Sequence, residues 1–227
     1  MTTLDAVLAF AVVAGLLTLV PGLDTALVLR SALTRSRTYA WATAAGIASG
    51  AMAWGIAAAL GISALLSASE TAYRVLTTAG AIYMCYLGGS MVWKSFRHGS
   101  VRIAPTQTTG VPDSPPWRGW FIGAGTNLLN PKVGVFYIAT IPQFLPPDAS
   151  PLPMGAALAG VHGVLTLTWF GLLIAGGSVI RHRLASPRTL MAIDRTTGLI
   201  LIGFGGKMLF DSFITDRAAL PVSLRAA

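Results

Sequence analysis

Long apolar stretches dominate the chain, and polar residues gather between them rather than alternating within them. Six stretches are long enough to cross the roughly 30 Å hydrocarbon core of a bilayer, which takes about 20 apolar residues each. They lie near Leu4–Leu29, Tyr39–Leu66, Ala72–Trp93, Gly119–Ile141, Met154–Ile180 and Ile193–Ile214. The pattern predicts an all-α membrane protein. The first stretch does not read as a cleavable signal, because Met-Thr-Thr-Leu-Asp has no basic start and the apolar run is too long.

Two stretches are interrupted in the same way. Val20-Pro21-Gly22-Leu23-Asp24 and Leu129-Asn130-Pro131-Lys132 each place a proline beside a charge, 110 positions apart. Proline lacks the backbone donor, so the carbonyl four residues earlier, that of Leu17 or Asn127, loses its partner. Such groups are tolerated in a membrane only where protein or a water-filled cavity surrounds them. Discontinuous helices of this kind point to a solute site near the middle of the bilayer.

The halves resemble each other elsewhere too. Leu87-Gly88-Gly89-Ser90-Met91-Val92-Trp93 aligns without a gap on Phe204-Gly205-Gly206-Lys207-Met208-Leu209-Phe210, and the same register pairs Ser95 with Ser212. Together with the matched prolines, this predicts six transmembrane helices in a 3+3 inverted repeat with helices 1 and 4 broken. Three crossings per half turn the second copy upside down. The expected units are residues 1–93, a cytoplasmic linker over 94–118, and residues 119–227 with a short C-terminal tail.

Composition supports the membrane reading. Of 227 residues, 54% are hydrophobic and 11% charged, with mean hydropathy +0.67, whereas a soluble chain carries about 25% charged residues. The net charge of +8 is concentrated after the odd-numbered stretches: 11 of the 16 Lys and Arg lie there, and the even-numbered connections hold only Arg74. Cationic loops stay cytoplasmic, so both termini are expected outside. The excess therefore reads as orientation and not as a nucleic-acid footprint, which needs a basic aqueous face. The lone Cys85 excludes an internal disulfide or a CxxC pair and suits a packing role.

Asp24 and Lys132 are the leading candidate site residues. A charge at the centre of a membrane helix costs at least about 2.5–3.5 kcal/mol, and both stand where a new half-helix begins, with free N–H groups and the positive helix-dipole end. Asp24 suits an ammonium group, and Lys132 with the free amides suits a carboxylate. The alternative is a buried Asp24–Lys132 ion pair that locks the halves together. Asn127 and Asn130 share a face with Gly123 and Gly134. Their side chains either serve a polar solute or satisfy carbonyls freed by Pro131. Gln143 suits either a gate or an aqueous boundary.

Three further residues are candidates for a proton relay or gate. Lys207 and Asp211 are four apart on one helix face, with Lys207 about 18 Å beyond Arg195 along a straight helix. His162 shares a stripe with Thr166 and Trp169. It either carries a proton or is a packed, hydrogen-bonded side chain. It has no second ligand at metal spacing, so neither a metal site nor a cofactor is expected. Ala42, Gly46, Gly50 and Trp54 form a ridge of mostly small residues suited to close helix packing.

Pro21-Gly22-Leu23-Asp24 with Leu27-Val28-Leu29-Arg30, then Gly46 and Gly50, then Asn127-Leu128-Leu129-Asn130-Pro131-Lys132 and Pro142-Gln143-Phe144 together resemble the LysE/RhtB amino-acid exporters. The resemblance covers nearly the whole chain. Leu23 departs from the Pro-Gly-Pro usual at the first break, leaving one proline. What the resemblance implies is an exporter of amino acids or their derivatives in the bacterial cytoplasmic membrane, driven by the proton motive force. Asp24, Asn130, Pro131 and Lys132 carry over as functional positions. The partners implied are a small zwitterionic amino acid, protons and the lipid bilayer, with room for a homo-oligomer and none for nucleic acid.

Competing classes are a cation or heavy-metal exporter, an integral membrane enzyme and a membrane scaffold. The first would need soft or imidazole ligands, of which Cys85 and His162 supply too few. The second would need a nucleophile with its base, paired acids or a metal centre, and no such arrangement occurs in the stretches. The third predicts that the charges at the breaks are dispensable.

Overall fold

A computed structural model describes residues 2–97, 114–184 and 187–219. Among the described residues the fold is entirely helical: α1 Thr3–Leu19, α2 Leu23–Thr34, α3 Arg37–Ala68, α4 Glu70–Arg97, α5 Pro116–Leu128, α6 Pro131–Thr140, α7 Pro151–Leu184 and α8 Pro187–Ala219, with a 3-10 turn at Ile141–Phe144 after α6. Of the linker expected over 94–118, Lys94–Arg97 belong to α4 and Pro116–Arg118 to α5. Residues 98–113 lie outside the described residues.

Both proline breaks fall where the sequence predicts them. A residue before proline is pushed out of the helical region. Val20 (φ −68°, ψ 115°) and Asn130 (φ −82°, ψ 105°) are accordingly extended. The chain bends by 58° between α1 and α2. Three single helices are long and apolar enough to cross a bilayer, α3 over Arg37–Leu65, α4 over Glu70–Phe96 and α7 over Pro151–Gly176, and the bent α1–α2 pair supplies a fourth. The fourth and sixth predicted spans correspond to the short α5–α6 pair and to α8, which carries Asp194, Arg195, Lys207 and Asp211.

Helix contacts are built on glycine. A side-chain carbon on Gly46 would lie 2.0 Å from the Trp120 carbonyl oxygen, and one on Gly123 would lie 2.2 Å from that of Thr43. No side chain fits either place, so α3 and α5 meet backbone to backbone, and they run parallel. The ridge expected from Ala42 to Trp54 thus serves close packing. Gly55 and Gly155 nest against Ala159 and Ala59, setting α3 antiparallel to α7. Gly88 meets Gly198 and Gly205 meets Ala81 and Cys85, setting α4 antiparallel to α8. Cys85 is thereby a packing residue on the α4–α8 seam, with its Sγ 3.8 Å from the Ile202 carbonyl oxygen.

Large apolar side chains cover the outer faces as well as filling the core. Leu8, Val75, Tyr86, Val164 and Leu199 are all more than half exposed on the outer faces, as befits helices that meet lipid. The interior holds Phe10, Phe136, Tyr137 and Phe144, together with polar Thr43, Asn127, Thr140 and Thr166.

Candidate functional site

The first break opens onto a cavity of about 500 Å³. Its wall combines the end of α1, the break itself, the α5–α6 junction, the middle of α7, the last turns of α4 and an early turn of α8. Asp24, Asn127, Asn130, Lys132 and His162 all line it, and so do Pro21 and Gly22. Two further charges line the same space, Lys94 and Asp194.

The geometry at Asp24 is specific. Asn127 Nδ2 donates to Asp24 Oδ2 at 2.9 Å across the two halves of the chain. Because the amide nitrogen is turned to Asp24, Asn127 presents its oxygen elsewhere. Asp24 Oδ1 and Asn127 Oδ1 are both buried with no hydrogen-bond partner. A buried acceptor left unpaired costs about 1–3 kcal/mol, and more when charged. Two open acceptors on this bonded pair of side chains match a ligand that brings several N–H donors and positive charge. Gly50 makes room for the Asn127 side chain: a side-chain carbon there would lie 2.9 Å from Asn127 Oδ1.

The two asparagines differ in what they do for the backbone, although the side chains of both reach Asp24. Asn130 is the N-cap of α6, and its Oδ1 accepts from the Lys132 N–H at 3.2 Å. The carbonyl that Pro131 frees on Asn127 accepts from the Asn130 N–H at 3.0 Å. Backbone groups therefore repair the second break, which leaves the Asn127 side chain for Asp24. The first break is not repaired in this way. Its N-cap is Gly22, with no side chain to donate or accept.

Among the described residues no ion pair joins Asp24, Lys132, Lys94 and Asp194, so the alternative of an Asp24–Lys132 lock is not what the geometry holds. Lys132 nevertheless lies within electrostatic reach of the other three. The wall supplies two carboxylates and two ammonium groups in one space, with hydroxyls from Thr18, Ser90 and Thr166 between apolar Leu17, Met91 and Phe170.

His162 is buried and saturated. Its Nδ1 lies 2.8 Å from the Tyr137 hydroxyl and its Nε2 lies 3.1 Å from Thr18 Oγ1. Thr18 already donates its hydroxyl proton to the Ala14 carbonyl at 2.8 Å, so it accepts from Nε2–H, and Tyr137 donates to Nδ1. The ring is thus a neutral Nε2–H tautomer linking α1, α6 and α7. It can take a proton only if Tyr137 turns its hydroxyl away. Beyond the ring the space is filled by Phe10, Phe136 and Phe144. Gln143 ties the 3-10 turn to α4 by donating to the Thr77 carbonyl at 2.8 Å, and the Tyr73 hydroxyl donates to the Pro142 carbonyl at 3.2 Å. Lys207 and Asp211 pair with each other on the exposed face of α8, 71% and 56% exposed, and do not line the cavity.

Sequence reasoning missed Lys94 and Asp194. Lys94 was assigned to the linker because the apolar run ends at Trp93. The signal was spacing: Leu87, Ser90, Met91, Lys94 and Ser95 repeat every three or four positions along one face of α4. Asp194 similarly follows Met191 by three.

Residues 15–212 match the LysE type translocator family. The chain is 26% identical over 207 residues to YrhP, an uncharacterized membrane protein of Bacillus subtilis (strain 168), covering 90% of this chain and 98% of that one. It is 26% identical over 185 residues to the threonine efflux protein of Escherichia coli (strain K12), covering 82% and 88%. It is 25% identical over 194 residues to the leucine efflux protein of Salmonella choleraesuis (strain SC-B67), covering 84% and 88%. No solved structure gives a significant match.

Proposed function

Because the chain belongs to the LysE type translocators, we propose that it is a secondary transporter, not an enzyme, exporting amino acids or close derivatives across the bacterial cytoplasmic membrane. The observation that carries this reading is the pair of buried, unpartnered oxygens, Asp24 Oδ1 and Asn127 Oδ1, beside the cavity. An α-ammonium group supplies the donors and the charge both lack. Lys132 and the uncapped start of α2 receive the α-carboxylate. The efflux activities named for the threonine and leucine relatives fit a ligand of that chemistry.

The architecture we infer is six spans in two inverted repeats, with α1–α2 and α5–α6 as the broken spans. Strand-like alternation of six crossings makes spans 2 and 4 parallel, 2 and 5 antiparallel, and 3 and 6 antiparallel. The directions of α3, α5, α7, α4 and α8 agree with all three relations. The basic connections orient the ends of α2, α4 and α7 toward the cytoplasm, with both termini outside. The cavity then faces inward, since its wall reaches Lys94 and Ser95 in the last turn of α4. The outer side is closed by the Phe10–Phe136–Phe144 packing and the Gln143–Thr77 bond.

Coupling to protons follows from one carboxylate serving two cations. A proton taken up by Asp24 from outside removes the charge that holds the ammonium, so proton influx and solute efflux exclude each other at one group. Reconstituted vesicles loaded with radiolabelled leucine or threonine test this, with and without an imposed pH difference. Outward movement that responds to the pH difference is expected. In Asp24→Asn the response to pH should vanish while residual exchange of internal for external solute remains. Equal loss of both would remove Asp24 from the coupling role.

A further inference from the structure

The site at the first break uses one acid and one base, Asp24 and Lys132, yet the cavity wall carries a second acid and a second base that this reading leaves idle. Lys94 lies in the last turn of α4 and Asp194 in the second turn of α8. The two helices are held together there by Gly88 against Gly198 and by the Arg195 Nε–H donating to Ser95 Oγ at 3.2 Å. Arg195, the neighbouring cation, is committed to that bond and to the face of Phe96, 4.3 Å from the ring centroid. It does not line the cavity, whereas Asp194 does. Lys94 and Asp194 form no ion pair among the described residues, although both line one cavity.

The four charges are not equivalent in position. Asp24 stands at the first break and Lys132 in the first turn of α6, whereas Lys94 and Asp194 stand on the packed pair α4 and α8. The Lys94–Asp194 pair therefore marks the mouth of the cavity, where Lys94 is exposed. A single small zwitterion bound at Asp24 and Lys132 leaves the outer pair without a partner. The cavity, at about 500 Å³, is within the 300–1,000 Å³ range of sites for much larger ligands.

We propose that Lys94 and Asp194 form a second zwitterion subsite at the mouth of the cavity, occupied at the same time as the site at the first break. Lys94 holds the α-carboxylate and Asp194 the α-ammonium of the second molecule, with Lys132 shared between the two. The proposal rests on the amino-acid reading above. It predicts that the protein takes up solute in two steps of different depth, and that the outer step depends on charges carried by α4 and α8 alone.

Isothermal titration of leucine into the full-length protein in detergent, repeated with threonine, tests it by stoichiometry. The wild type should bind two leucine molecules per chain. Lys94→Ala combined with Asp194→Asn should bind one, with the affinity of that site within about threefold of the tighter wild-type site. The exchange Lys94→Asp with Asp194→Lys, which restores both charges at swapped places, should regain the second molecule. A merely structural lesion would weaken binding without changing the count and would not be rescued. One molecule per wild-type chain overturns the proposal, as does a count of two that survives loss of both charges. If the wild type binds neither leucine nor threonine, it is the amino-acid reading that fails, and the second subsite falls with it.

Discussion

The two proline breaks start from nearly the same sequence device and end differently. At Pro131 the chain heals itself: Asn130 caps α6, its backbone N–H takes the orphaned Asn127 carbonyl, and Pro131 occupies the first helical position where a missing N–H costs nothing. At Pro21 the proline stands two residues before the first helical position, Gly22 offers no cap, and the chain bends by 58° with Asp24 beside the opening. One break is a satisfied hinge that positions Lys132 and Asn127. The other leaves the start of its helix uncapped and one oxygen of Asp24 unpaired. On the reading proposed above, that difference separates scaffold from recognition, because unpaired groups persist in a membrane interior only where something else will satisfy them.

The largest effect expected from breaking this comparison is at the first break. Asp24→Asn should lower leucine or threonine efflux by about 100-fold or more, since a charge-assisted partner to a cation is worth about 1.5–3 kcal/mol and the coupling group is lost with it. Initial rates from loaded vesicles measure this. Asn127→Ala, which removes both the partner of Asp24 and one of the two open oxygens, should weaken binding about tenfold at unchanged expression.

Glycines that frame the site separate packing from recognition. Gly46→Ala drives a methyl into backbone and should abolish accumulation of folded protein in detergent. Gly50→Ala meets chiefly the Asn127 side chain. It should leave a folded protein with affinity reduced severalfold, read by titration and gel filtration together.

Much of this contrast was legible in the sequence. Proline beside charge gave the position of both breaks to within a residue, because the steric rule before proline acts locally. Asp24, Asn127, Asn130, Lys132 and His162 were picked as polar residues in apolar surroundings, and all reach one cavity. What could not be read was which asparagine served the backbone: that depends on the Asn130 N–H meeting the Asn127 carbonyl, a matter of turn geometry. Lys94 was lost because a hydropathy window ends a helix at the first cluster of charges, whereas α4 continues to Arg97. Lys207 sits deeper by residue count than Lys94, yet it faces outward and pairs with Asp211. Depth along a helix does not give the side it faces.

The second break offers a milder test. Asn130→Ala should lower thermal stability by about 1 kcal/mol through loss of the cap, with solute affinity reduced by less than in Asn127→Ala. Asn130→Ser, which retains a capping oxygen, should recover most of the stability. Thermal unfolding in detergent measures both. The smallest effect is expected far from either break: Lys207→Met with Asp211→Leu removes both members of an exposed pair and should leave efflux within about twofold of the wild type.

The most direct test of the central claim is an experimental structure of the protein with a bound amino acid. The account places the ammonium nitrogen within hydrogen-bond reach of both Asp24 Oδ1 and Asn127 Oδ1, at the unhealed break. An amino acid whose ammonium lies away from Asp24, with those two oxygens still unpaired, would contradict it.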